Sequence, residues 1–353
     1  MKNLLYFLFA TILLASMMMS TSCKKDQIGQ QITHSFGLEE AYQTNEAAVI
    51  MTLAAIAYTA EGSGVQTIQD SITTLLADST LETNGQWELI WGPGVNNTNS
   101  NLVYVAKYAS TQPHTYAIVV RGTSIYSFTD IKQDGDVFEL VPFTYGLAGD
   151  SVANGSLVGL NILLETEDPG SGKTLKQFLP EIVGEDNSKM FITGHSQGGA
   201  LAPLLAYWFV ASSGVAQHFS LETYAFAGPS VGNESFVNNF FLSMPGNSFF
   251  NMVSNSLDVV PYFWARFDSL VPMEIPAPVP LVYQILITGA REELNLKHIK
   301  YVQLDDPIDI GNFPPTDTLG NIHPSNTLDW YNHWMMKEHT HNSYLELLGA
   351  KPI

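Results

Sequence analysis

Apolar and polar positions divide the chain into short blocks with different periods. Ala47, Ile50, Met51, Ala54, Ile56 and Ala57 recur at helical spacing and predict a helix over 38–60. Residues 61–84 are small, polar and weakly patterned, with a short helical piece at 72–76. Apolar runs at 87–91, 102–108 and 116–121 read as strands, separated by turn-rich segments such as Gly92-Pro93-Gly94-Val95-Asn96-Asn97. A loop region at 122–150 precedes predicted helices near 157–165 and 175–182. A buried strand at 190–193 then leads through a glycine-rich turn into an Ala- and Leu-rich helix. Further strands are expected at 221–227 and ending at 251–254. Residues 261–325 are Pro-rich and irregular, and 329–348 is largely helical. Strands alternating with helices predict an α/β domain with a mainly parallel sheet covered on both faces. No repeat, low-complexity tract or linker interrupts 38–353, so that stretch reads as one domain.

The N-terminus departs from this pattern. Residues 1–22 read as an export signal, with Lys2 as the positive start and 4–15 as an apolar stretch too short for an ordinary membrane span. Ser20-Thr21-Ser22-Cys23 resembles a bacterial lipoprotein signal, in which the cysteine is acylated and becomes the mature N-terminus. Cys23 is the only cysteine, so no intrachain disulfide is possible. Ser20 stands where the lipoprotein pattern prefers leucine, which keeps ordinary secretion open. Residues 23–37 read as a polar tether. The expectation is an exported protein held on the bacterial cell envelope by a lipid anchor. A net charge of −19, from 34 acidic and 15 basic residues, argues against a nucleic-acid partner, since no basic run exceeds Lys24-Lys25.

The turn after 190–193 is Gly194-His195-Ser196-Gln197-Gly198-Gly199, a Gly-x-Ser-x-Gly sequence between a strand and a helix. In that context it reads as a nucleophile elbow, a turn sharp enough to need glycine two positions either side of the serine. It puts Ser196 at a helix N-terminus, where backbone N–H groups favour developing negative charge. A serine nucleophile needs a base, and the base needs an acid to hold its tautomer. Asp258, in the loop after the 251–254 strand, is the acid that stands out downstream. His298, His323, His333, His339 and His341 follow it, and the pattern alone does not choose among them.

Several separated motifs in fixed order resemble the lipase class 3 family, the fungal-lipase-like branch of the α/β-hydrolases. They are Ile118-Val119-Val120-Arg121-Gly122-Thr123, Asp130-Ile131-Lys132-Gln133-Asp134, the elbow, Thr223 through Asn233 with its Gly228-Pro229, Asn255 to Pro261, and His339 to Leu345. Ile131, Ala227-Gly228 and Ser230 depart from the residues usual there. The resemblance implies an α/β-hydrolase fold and a serine ester hydrolase, with Ser196 as nucleophile, Asp258 as acid and His339 as base because it stands five before Tyr344. His341 is the alternative base. It also implies an oxyanion hole from the backbone N–H groups of Thr123 and Gln197 with the Thr123 hydroxyl, and Asp134 bracing Thr123. A lid is expected over 124–130, with Ile125, Tyr126 and Phe128 available to lipid. No metal or cofactor is implied. The expected substrate is a lipid ester such as a triacylglycerol. A non-lipase esterase acting on polysaccharide-linked acyl groups, or a catalytically silent surface binding module, are the alternatives. Oligomeric state is left open.

Overall fold

The structure is a computed structural model, and it describes residues 38–96, 100–109, 113–122, 136–182, 188–270, 279–314 and 328–353. The expected export signal, Cys23, the tether, Thr123, Asp134 and the expected lid at 124–130 lie outside the described residues.

In chain order the elements are α1 (Leu38–Ile56), α2 (Val65–Leu76), β1 (Trp87–Val95), β2 (Leu102–Tyr108), β3 (Thr115–Val120), β4 (Leu140–Pro142), β5 (Ser151–Ala153), α3 (Asn154–Glu165) and α4 (Leu175–Phe178). Then follow β6 (Ser188–His195), α5 (Gln197–Ser212), β7 (Phe219–Phe226), α6 (Glu234–Ser243), β8 (Phe249–Ser254), α7 (Phe267–Leu270), α8 (Leu281–Leu296), β9 (Ile308–Asp309), α9 (Leu328–His339) and α10 (His341–Leu347). Seven strands form one sheet in the order β1-β2-β3-β6-β7-β8-β9, and β4 and β5 form a separate hairpin ladder. The β1–β2 and β2–β3 pairs are antiparallel, and every pair from β3 to β9 is parallel. The alternation of strands and helices predicts this mainly parallel sheet, and the α/β-hydrolase arrangement is the one the family resemblance implies.

Two cores cover the two faces of the sheet. One packs α3, α5 and α6 against Val103, Val105, Ile118, Val120, Met190 and Ile192. The other packs α1, α2 and Tyr344-Leu345 against the alternate residues Tyr104, Ala106, Ala117, Val119 and Phe191. The strand residues swap faces one by one, as period-2 alternation requires. Helix α5 is buried all round from Gln197 to Phe209, because it lies between the sheet and the helices outside it. A third core, rich in aromatic residues, lies beside the acid loop and joins Val137 and Phe138 to Trp264, Phe267, Tyr283, Trp330, Tyr331 and Trp334.

Three expectations need correction, and a fourth holds with a break. The weakly patterned 61–84 segment holds a full helix, α2, whose Ile68, Ile72 and Leu76 are spaced four apart and buried. The 122–150 region contains strand β4, which pairs with β5 at 151–153. The Pro-rich stretch is not irregular throughout: no proline falls between Leu281 and Asp306, and α8 forms there, starting directly after Pro280. The terminal helix is broken. Thr340 is extended (φ −61°, ψ 149°) and its hydroxyl accepts from Ser343 N, so His339 ends α9 and His341 begins α10.

Candidate active site

The C-terminal ends of β3, β6, β7 and β8 converge on one edge of the sheet. The chain leaves β6 through Ser196, whose backbone is held at φ 60° and ψ −124°. A non-glycine residue adopts that conformation only under constraint. The constraint is close packing: a Cβ on Gly194 would lie 2.4 Å from the Gly198 carbonyl carbon, and one on Gly198 would lie 2.4 Å from Val120 O. Glycine at both positions lets α5 start directly against β3 and β6. Ser196 N–H donates to Phe226 O on β7, which pins the turn from the other side.

Ser196 Oγ lies 2.8 Å from His339 Nε2, and His339 Nδ1 lies 2.8 Å from Asp258 Oδ2. The aspartate takes only donors, so Nδ1 carries the proton and Nε2 accepts from the serine hydroxyl. Asp258 is fully buried. Its carboxylate also accepts from the Tyr344 hydroxyl at 2.8 Å and from Val260 N–H at 3.0 Å. Three donors fix the orientation of this buried carboxylate.

The acid loop and the base are joined a second time behind this line. Asn255 Nδ2 donates to the Glu338 carbonyl at 3.0 Å and to Glu338 Oε2 at 2.6 Å, while Asn255 N–H donates to Tyr344 Oη at 3.1 Å. Asn255 also accepts from Leu257 N–H and Asp258 N–H, which closes the loop carrying the acid. Glu338 is fully buried, and burial raises its carboxyl above the ordinary range.

His195 ties the elbow to the base. Its Nε2 lies 2.8 Å from His339 O, and a carbonyl only accepts, so Nε2 is protonated. Its Nδ1 lies 3.1 Å from Tyr58 Oη, and that hydroxyl is also 3.1 Å from His195 O. Gly122 N–H donates to the same hydroxyl. Burial, and the neighbouring His339 and His341 rings, push His195 well below the ordinary histidine range. It is therefore neutral at working pH, consistent with that tautomer.

Of the residues expected to act, Ser196, Asp258 and His339 are brought into one hydrogen-bonded line. Gln197 follows directly as the first residue of α5, buried. Thr123 and Asp134 are not described, but the adjoining Gly122 sits against the elbow: a Cβ there would lie 2.3 Å from His195 O. His341, the alternative base, points elsewhere. Its ring stacks on Tyr58 with centroids 4.5 Å apart, and burial together with His339 pushes its pKa down to about 4. The sequence reading passed over Tyr58 and Glu338, and nothing in their local patterns marks them. Among the described residues no group of three or more His, Cys, Asp or Glu side chains is arranged to hold a metal ion, and no helix is long and apolar enough to cross a membrane.

The family model for class 3 lipases matches residues 117–267. No curated protein matches the chain by sequence. Among solved structures, the chain is similar to M37 lipase, at 28% identity and a TM-score of 0.66, covering 87% of this chain and 92% of that one. It also matches the lipase from Rhizopus microsporus var. chinensis at 19% identity and a TM-score of 0.44, covering 63% and 69% of the two chains. A fungal lipase in an inhibitor complex matches at 24% identity and a TM-score of 0.46, covering 63% and 75%. With the nucleophile elbow seated on this sheet, the chain is a serine ester hydrolase of the α/β-hydrolase fold, and its residues 117–267 carry the pattern of the lipase class 3 family.

Proposed function

We propose that the protein is a lipase that cleaves acylglycerol esters through Ser196, His339 and Asp258. The reading rests on the continuous line from Ser196 Oγ through His339 to Asp258, with both links at 2.8 Å. Ser196 Oγ attacks the ester carbonyl as His339 Nε2 takes its proton. The imidazolium forms beside the buried Asp258 carboxylate, which stabilises it. Collapse of the tetrahedral adduct breaks the ester C–O bond, and His339 returns the proton to the departing alcohol oxygen. Water, deprotonated by His339, then attacks the acyl-serine carbonyl and releases the fatty acid and free serine.

The oxyanion is assigned to the backbone N–H of Gln197, at the start of α5, and to Thr123 through its N–H and hydroxyl, with Asp134 bracing Thr123. Gly122, immediately before Thr123, is hydrogen-bonded to Tyr58, which favours a fixed backbone at that point. Losing one such donor typically costs about 10²–10³ in rate. Cys23 is proposed to carry the lipid anchor that holds the exported enzyme on the bacterial cell envelope.

Hydrolysis of short- and long-chain p-nitrophenyl esters and of emulsified triacylglycerol, by the parent chain and by Ser196→Ala and His339→Ala, tests the reading. Activity on long chains and emulsion, reduced by roughly 10³-fold or more in both variants, is expected. Activity limited to short chains would reject the lipase reading in favour of an esterase. Retention of activity in His339→Ala would reject the assigned base.

A further inference from the structure

The two ends of the central sheet differ in chemistry. The catalytic end is the C-terminal one. At the other end, about 20 Å away along β6, Lys189 bridges Glu46 of α1 at 2.8 Å and Glu222 of β7 at 2.7 Å. Glu222 is in register with Phe249, the first residue of β8. Helix α1 therefore has Glu46 at the non-catalytic end, while Tyr58, just past its last turn, reaches His195 at the catalytic end. Its first residue, Leu38, lies two turns before Glu46, about 12 Å further out. The chain before Leu38 joins the domain at the end away from the site.

That same end carries an uncharged apolar tip. Helix α6 runs down to Ser243, the chain turns through 244–248, and β8 starts back up at Phe249. No charged residue occurs between Glu234 and Asp258, in a chain of net charge −19. On this tip Leu242 is 78% exposed, Phe249 66% and Phe241 42%. Phe241 is braced edge-on against Phe240 and Phe250. Phe249 and Phe250 are successive strand residues and face opposite sides of the sheet, so the apolar surface wraps the tip. Large side chains exposed together in a charge-free stretch mark an interaction surface.

We infer that this tip is a docking face for a lipid bilayer surface. A bilayer fits better than a protein because the segment from 235 to 257 carries no charge and exposes Phe and Leu, with Ser243, Asn247 and Ser248 as small polar neighbours for headgroups. The placement of the N-terminal chain identifies which bilayer. With Cys23 anchored, as proposed above, anchor and tip meet the same membrane, and the catalytic edge faces away from it. The contact of the tip itself does not depend on the acyl group.

The test uses the full chain with Cys23→Ser and one introduced cysteine, Leu242→Cys or Ile285→Cys. Each is labelled with an environment-sensitive fluorophore and mixed with phosphatidylcholine vesicles containing doxyl-labelled lipid. Ile285 is the control because it is an exposed apolar residue of α8, which packs in the third core beside the acid loop. The label at position 242 is expected to shift blue and be quenched, and the label at 285 to stay in water. Phe249→Glu in the 242-labelled chain is expected to lose that quenching while hydrolysis of a soluble short-chain ester is unchanged. Quenching confined to position 285 overturns the proposal. So does a label at 242 that stays in water while the chain floats with the vesicles. A concentration-dependent blue shift without lipid makes a second copy the occupant and also overturns it. Absence of ester hydrolysis in the parent counts against the enzymatic reading and leaves the vesicle result standing.

Discussion

His339 stands among three aromatic side chains that set its backbone and surroundings without touching the serine. Tyr344 donates to Asp258 Oδ2, the same oxygen that His339 Nδ1 meets, His195 holds the His339 carbonyl, and Tyr58 holds His195. Tyr344→Phe removes one donor from a buried carboxylate and keeps the ring. It is expected to lower kcat by roughly 10- to 100-fold with little change in KM, the range for one hydrogen bond to a charged group. Steady-state kinetics on a soluble ester checks this, and an unchanged kcat rejects the role. His341 carries a pH prediction. Its folded-state pKa of about 4 lies below the ordinary 6.5, so the unfolded chain takes up its proton first as pH falls. Stability is then full above about pH 6.5 and falls as pH drops toward 4, by about 3 kcal/mol from this group. His341→Phe keeps the stack on Tyr58 and removes the titration. Its melting temperature is expected to fall less between pH 6.5 and 4 than that of the parent, and parallel curves for the two chains refute the assignment.

Element boundaries, more than element types, decide where the site residues stand. The break at Thr340 separates α9 from α10 and leaves His339 at a helix C-terminus, able to turn toward Ser196. Thr340→Ala removes the cap hydroxyl and is expected to cost about 1 kcal/mol. Chemical denaturation measures that loss, and a parallel drop in kcat is expected because α10 also positions Tyr344. The sequence made the elbow legible because glycine spacing, a preceding apolar run and a following helix agree. It did not show the break at Thr340, since residues on both sides have helical character and the cap is a single hydroxyl. Helix α8 was hidden by prolines that flank it on both sides rather than lie within it. Tyr58 and Glu338 were illegible for another reason: their partners, His195 and Asn255, are 137 and 83 residues away. Helix α6 was passed over too, although Asn233 caps it by accepting from Phe236 N–H at 2.9 Å.

Across the described residues, the non-catalytic end is held by charge and the catalytic end by hydrogen bonds around two buried carboxyl groups, Asp258 and Glu338. At the former, Lys189 is shared by two carboxylates, and the Tyr224 hydroxyl donates to Glu46 at 2.9 Å. Burial opposes ionisation of both carboxylates. Lys189 nevertheless holds Glu46 below the ordinary range, while Glu222 ends above it. Lys189→Met leaves two half-buried carboxylates facing each other and is expected to destabilise the fold by roughly 1–3 kcal/mol. Adding Glu222→Gln removes one of the two charges and is expected to recover part of that loss. A double-mutant cycle by thermal melting reads both, and simple additivity of the two changes counts against the shared bridge.

Between Asp258 and His339 the chain makes a long excursion that supplies most of the third core and then returns to within one hydrogen bond of its starting point, where Asn255 meets Glu338. The excursion is thus tied off at its neck by groups that belong to the catalytic frame. Such an arrangement is modular: its interior can be exchanged or resized while acid and base keep their separation. Diversifying the residues between Val279 and Leu296, with Asn255, Glu338 and Tyr344 left intact, is expected to remodel the third core without displacing the acid from the base.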